Sequence, residues 1–443
     1  MRVTDKLKRL TGETDKLPKP QSNNETINEL RRKIDTIIER SRHIEERHSA
    51  SFKGKAQALE SVITGEEIVN EHGTFYFTRS TFHKSSSHGC RLVGALANID
   101  MHTAGLIAGS PEIARMNPDD GLYLDTETTG LAGGTGTFPF LIGLGWFEDN
   151  NFVTCQLFAR DFSEEKAMLS FLREIAAQKS FLVTFNGKAY DINLLSTRFI
   201  LNRLEDSFIH MPHLDLLFIC RRLFKHRLEN SRLVTLECGI LGFERTGDVP
   251  GYEIPQRYFD WLKRHDARTL EDIFEHNRLD ILSMAALNAH LTELVGPGPN
   301  PPATHPGDIM AVARLFFECG DSVLAKKLYE ELIHCEYNDV VRETRRHLSL
   351  IHKRAECWEE AAKLWESMLA DDPLDIFAVE ELAKFFEHRK HDYTRATKLV
   401  EEILDRPTAV TPFERDALIY RMERLKRKSG LYLADKSNKE NPD

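Results

Sequence analysis

The stretch Gly121–Gly145 reads GLYLDTETTGLAGGTGTFPFLIGLG. An apolar run ends in Asp125-Thr126-Glu127, a Thr/Gly-rich turn follows, and a second apolar run begins at Phe138. In a strand, residues i and i+2 face the same side, so Asp125 and Glu127 project together. Two carboxylates held side by side repel unless a cation lies between them. A hard, oxygen-seeking ion such as Mg²⁺ or Mn²⁺ is the natural partner. Read alone, the pair is equally well explained by one acid facing solvent and one supporting the turn.

Around this stretch the pattern is α/β. Strand-like runs at Gly121–Asp125, Phe138–Trp146 and Phe152–Phe158 are joined by short turns containing Gly or Asn, which suits antiparallel neighbours. Ser163 is placed to cap a helix running to about Gln178. Phe181–Phe185 reads as a buried strand, Tyr190–Leu204 as a helix, and helical patterns continue from His213-Leu214-Asp215 to Val295. A mixed sheet with flanking helices over residues 118–295 follows.

Residues 1–58 form a polar N-terminal segment in which Ile27, Leu30, Ile34 and Ile37 mark an amphipathic helix. Residues 59–117 form a β-containing extension, where EEIVNEHGTFYFTRSTF alternates about His72-Gly73 as a hairpin does. His83 and His88 read as loop residues. Residues 296–306 are a Pro/Gly linker. Beyond it, LAKKLYEEL (324–332), EAAKLWESM (360–368) and RATKLVEEI (395–403) superpose with Ala325, Ala361 and Ala396 in register. The spacing is close to the ~34 residues of the tetratricopeptide unit, so residues 307–430 are expected to be tetratricopeptide-like helical repeats; a plain helical bundle is the alternative. Residues 431–443 read as a disordered tail.

The net charge of −10 argues against a protein that coats nucleic acid electrostatically, but it is compatible with an enzyme that grips a few nucleotides. There is no apolar run of about 18 residues and no hydrophobic signal core, so neither a membrane span nor secretion is expected. Seven scattered cysteines without a CxxC pair fit reduced thiols and a cytoplasmic protein. Gly133-Gly134-Thr135-Gly136 lacks the Lys-Ser/Thr of a phosphate loop and reads as a turn.

Further acids fall at element ends. Asn186-Gly-Lys-Ala-Tyr190-Asp191 lies at a strand–helix junction, where Asp191 could equally serve the helix dipole. His276 and Asp280 are four apart on a helix and share a face, as a surface hydrogen-bonded pair also would. Taken in order, these segments resemble the DEDD 3′–5′ exonucleases of the ribonuclease H-like superfamily. Their motifs are DxE, N-x₃-(F/Y)-D, and Y-x₃-D or H-x₄-D. The first two match; His276-x₃-Asp280 joins the histidine of one branch to the spacing of the other, which leaves the orientation of His276 open. LDTETTGLAGGTGTFPFLIG, FNGKAYDINLL, HLDLL and EHNRLDILSM, followed by a tetratricopeptide-like tail, are similar to the bacterial YprB-type ribonuclease H-like proteins over roughly residues 60–295.

The resemblance implies a ribonuclease H-like mixed five-stranded sheet flanked by helices, and a nuclease that shortens DNA or RNA from its 3′ end. It implies two Mg²⁺ or Mn²⁺ ions held by Asp125, Glu127, Asp191 and Asp280, with His276 acting on the attacking water. Thr128, Thr129 and Gly130 would admit the terminal nucleotide close to backbone, and Asn186 and Tyr190 belong to the second motif. Arg221, Arg222 and Lys225 form the densest basic stretch, either tracking phosphates or making a solvated face. Asp215 is a fifth acid for which helix capping is the favoured role. The loop from Asp248 to Pro255 lies near the site, with contacts that are not legible. Two other readings stand beside the exonuclease: a scaffold that uses the repeats to hold a protein partner, and an endonuclease of ribonuclease H type acting on RNA–DNA hybrids.

Overall fold

Seven strands build one sheet in the computed structural model, which describes residues 55–130, 136–297, 304–406 and 411–430. The amphipathic helix expected before residue 50, the Gly133-Gly134-Thr135 turn, most of the linker and the C-terminal tail lie outside the described residues. β1 (Glu66–Asn70) and β2 (Gly73–Phe82) form the hairpin read around His72-Gly73. β3 (Gly121–Thr128), β4 (Pro139–Glu148) and β5 (Asn151–Phe158) form an antiparallel meander. β6 (Phe181–Thr184) and β7 (His213–Asp215) continue the sheet in parallel with β3. The order is β1-β2-β5-β4-β3-β6-β7.

The count of seven corrects the expectation of five. The hairpin belongs to the main sheet: β2 pairs with β5 from Tyr76 opposite Phe158 to Phe82 opposite Phe152. It covers the edge that β5 would otherwise leave open, and Phe75 and Tyr76 are buried in doing so.

Helices flank both faces. α1 is Met101–Ala108, α2 Glu165–Ala176, α3 Asp191–Leu201, α4 Leu216–Phe224 and α5 Ile254–Arg264. Before α2, Asp161 rather than Ser163 supplies the cap, accepting from the Ser163 backbone N–H at 2.7 Å. α6 (Glu271–Val295) crosses the sheet and is buried along most of its 25 residues. Two glycines of β4 let it approach. A Cβ on Gly143 would lie 2.3 Å from Oδ1 of Asn277, and one on Gly145 would lie 2.4 Å from Cγ2 of Ile281. His88 is a packing residue here, not a loop residue: it is buried, packs its ring against Phe243 at a tilt, and meets the Ser283 hydroxyl at 2.8 Å.

The chain then turns into consecutive helices: α7 (Pro306–Glu318), α8 (Ser322–Leu332), α9 (Asn338–Arg354) and α10 (Trp358–Asp371). α11 (Ile376–Phe385), α12 (Tyr393–Leu404) and α13 (Pro412–Lys428) complete the region. The repeated alanines Ala325, Ala361 and Ala396 are fully buried on α8, α10 and α12, with Tyr329, Trp365 and Val400 one turn later filling the larger gaps. The apolar core does not stop at the linker: Val312, Ala313 and Phe316 of α7 share one cluster with Leu223 of α4 and Leu291 of α6. Asp308 in the first turn of α7 is 2% exposed and takes a bidentate pair from Arg227, at 2.9 and 2.7 Å. No helix among the described residues is long and apolar enough to cross a membrane.

Candidate active site

Asp125 and Glu127 occupy the C-terminal half of β3, with Asp125 opposite Gly143, over which Asn277 of α6 packs. Asp191 is the first residue of α3, and Thr126 donates its hydroxyl to it at 2.5 Å. From α6, His276 Nε2 lies 3.8 Å from Glu127 Oε1 and 3.6 Å from Asp280 Oδ2. Three elements remote in sequence thus bring four carboxylates and an imidazole together.

A cleft of about 760 Å³ opens at this point, lined by Asp125, Glu127, Asp191, Thr128, Gly130 and Tyr190, with Gly251 from the loop before α5 and Pro255 from the first turn of α5. Tyr190 is 57% exposed.

The electrostatics follow from crowding. Burial, then the charges of Asp280 and Asp191, push Asp125 well above the ordinary carboxylate range. Burial and the neighbouring Asp125 do the same to Glu127. Burial raises Asp191 to about 6, although the Thr126 hydroxyl works against the rise. For His276, burial disfavours the charged ring, but the hydrogen bond to Asp248 and the charges of Asp280 and Glu127 outweigh it and carry the pKa up to about 9. Acids that hold protons for want of a counter-charge form an all-oxygen donor set, and this suits a hard divalent cation. Oxygens of Glu127 and Asp280 and a nitrogen of His276 lie within 4.8 Å of one another, close enough to share an ion.

Several residues of the site were not singled out from sequence. Asn277, fully buried, donates to Asp125 at 2.9 Å and accepts from Gln156 at 3.0 Å. Gln156 in turn accepts from Thr78 on β2 at 3.1 Å and donates to the Phe274 carbonyl at 2.8 Å. A buried polar chain therefore runs from β2 to the first acid. Arg245 comes from the loop before α5 and touches Asp280; Asp248, whose loop was expected near the site without its contacts, touches His276. The available signal was a buried-strand glutamine and an asparagine between two motif residues, neither distinctive alone.

Other expected residues are placed differently. Thr129 closes the turn, exchanging hydrogen bonds with the Phe138 backbone. Asn186 takes the left-handed conformation, φ 69°, and is not among the residues lining the cleft. Asp215 caps α4 and accepts backbone N–H groups of Asn186, Lys188 and Leu217 at 2.8, 3.0 and 3.1 Å. Those three donors engage both its oxygens, so it holds the second-motif turn rather than facing the cleft. Arg221, Arg222 and Lys225 do not line the cleft either; Arg222 pairs with Glu318 of α7. Arg221 and Lys225 are exposed, because the apolar face of α4, with Leu223 and Phe224 buried, is turned into the core it shares with α6 and α7.

Residues 122–292 match the family model described as the RNase H superfamily. That is the class of the fold that carries this acidic cleft, and nuclease chemistry is what the class suggests. Over 318 residues the chain is also 35% identical to YprB of Bacillus subtilis (strain 168), with the alignment covering 70% of this chain and 76% of that one. The chain belongs to the RNase H superfamily, in the group represented by YprB.

Proposed function

We propose that the protein is a divalent-metal-dependent nuclease that removes nucleotides from the 3′ end of DNA or RNA. The observation that carries this reading is the meeting of Asp125, Glu127 and Asp191, which line the cleft, with Asp280 and His276 packed beside them. A scaffold has no use for four mutually repelling acids, which cost stability unless a cation joins them.

In this reading Asp125, Glu127, Asp191 and Asp280 hold Mg²⁺ or Mn²⁺, which supplies Lewis-acid stabilisation of the phosphate and lowers the pKa of a water. Asn277 keeps Asp125 turned toward the cleft, and Thr126 does the same for Asp191. His276, with Nδ1 on Asp248, presents Nε2 to the space between Glu127 and Asp280. With the carboxylate charges that raise its pKa offset by the bound cation, its Nε2 would orient the attacking water and take its proton. Tyr190 offers an exposed ring to the terminal base, and Thr128 and Gly130 border the cleft with little bulk. The ordered second and third motifs favour attack at an end over an internal cut. The helical region, with its repeated alanines, suits a tetratricopeptide-like surface for a protein partner.

The test is incubation of labelled single strands, duplexes and hybrids with Mg²⁺ or Mn²⁺, comparing wild type with Asp125→Ala. Stepwise shortening from the 3′ end, lost in the variant, is expected. Absence of metal-dependent cleavage on every substrate would sink the proposal in favour of a scaffold. Internal cuts confined to hybrids would replace it with a ribonuclease H-type endonuclease.

A further inference from the structure

The loop between Glu237 and α5 carries two charged side chains that the motifs do not include. Arg245 is 2% exposed and sits on Glu237, itself fully buried, through Nε at 2.8 Å and Nη2 at 2.5 Å. From this anchor its Nη2 also reaches Asp280. Three residues on, Asp248 Oδ1 lies 2.6 Å from Nδ1 of His276. Arg245 Nη1 is 3.3 Å from the same nitrogen. An ionised carboxylate can only accept, so the shorter contact assigns the proton to Nδ1 and leaves Nε2 facing Glu127 and Asp280.

We infer that Arg245 and Asp248 are the positioning residues of the site: Arg245, anchored on Glu237, fixes the carboxylate of Asp280, and Asp248 fixes the ring of His276. Their catalytic meaning rests on the nuclease reading; their geometric role does not. The arrangement also answers how a histidine with three residues between it and its acid can serve where another spacing is usual. The ring's direction is set by Asp248 and not by the helical spacing. Arg245 suits its task because a guanidinium can grip Glu237 with two nitrogens and still offer a donor to Asp280, which an ammonium cannot reproduce. A pair with a purely structural role would change stability and leave the ring's hydrogen bond and the turnover of the folded protein alone.

The experiment has two arms on the full-length chain. In the first, ¹⁵N-histidine-labelled, metal-free protein is observed by NMR, and the His276 imidazole signals are assigned by their loss in His276→Gln. A downfield Nδ1–H signal is expected in wild type, absent from Asp248→Ala and moved upfield in the isosteric Asp248→Asn. The second arm measures kcat and KM on a labelled strand with Mn²⁺. Asp248→Ala and Arg245→Lys are expected to lower kcat about 10–100-fold with KM within about twofold. An Nδ1–H signal unchanged in both Asp248 variants, or wild-type kcat in folded Asp248→Ala and Arg245→Lys, overturns the inference. Should Asp248→Ala not fold, Asp248→Asn decides it by the same signals. If wild type cleaves nothing, the nuclease reading fails by itself and the NMR arm still decides whether Asp248 holds His276.

Discussion

Asp191 carries a prediction of its own. Burial keeps its proton on in the folded state up to about pH 6, whereas the unfolded chain releases it near pH 4. The folded state therefore binds more protons between these values. The stability this contributes is complete below about pH 4 and is lost as pH rises through 6. In metal-free protein, Asp191→Asn is expected to raise stability above pH 7 by roughly 1–3 kcal/mol. Melting curves in chelator at pH 5 and pH 8 check this: the wild-type midpoint should fall relative to that of the variant. Added Mn²⁺ should raise the wild-type midpoint by binding the native state alone and raise that of Asp191→Asn much less. Asp280→Asn tests the other side of the cluster. Removing one charge there is expected to lower kcat at least about 100-fold in the strand-shortening assay, while Arg245 remains seated on Glu237.

At the scale of elements, the closeness of α6 to β4 controls the site. Gly143→Ala would put a methyl 2.3 Å from Asn277 Oδ1, the atom that receives Gln156. The helix must then retreat or the polar chain must break. A loss of about 1–3 kcal/mol in urea denaturation is expected, with a fall in activity because Asp125 loses its orienting donor. Much of this was readable beforehand. The strand carrying Asp125 and Glu127, the junction at Asp191 and the helix carrying His276 and Asp280 follow from periodicity and motif spacing, since local pattern encodes local structure. The loop beginning at Asp248 was expected near the site, but the contacts of Asp248 and the place of Arg245 were not readable, because a loop declares its contacts only after α5 and α6 have packed. The basic stretch of α4 misled for a related reason. Its charge is visible in sequence, but the direction in which the helix turns that charge depends on which face enters the core shared with α6 and α7.

For the whole molecule, the shared core makes the helical region two parts of unequal standing. α7, α8 and α9 lend Val312, Phe316, Tyr329 and Leu348 to the cluster beneath the sheet, while α10 to α13 build a second cluster around Trp365, Leu382 and Val400, joined to α9 where Trp365 donates to Ser349. Ending the chain before residue 304 is therefore expected to expose apolar surface, read as dye binding and lost solubility. Ending it after residue 357 should leave the fold and the strand-shortening activity largely in place, measured by circular dichroism and the same assay. The Pro/Gly stretch is conspicuous in sequence, but composition cannot reveal that apolar residues on either side of it meet.

The Arg227–Asp308 pair and the core around it have a consequence for anything the helices capture. A cargo held on a slack tether samples a wide volume, and its local concentration falls as the tether lengthens. Here α7 is bolted to α4, whose capping Asp215 also holds the second-motif turn. Cargo gripped by the repeats would be delivered to the cleft from a fixed bearing, as by a jig. Its fitness as substrate would depend on its length and angle more than on its affinity.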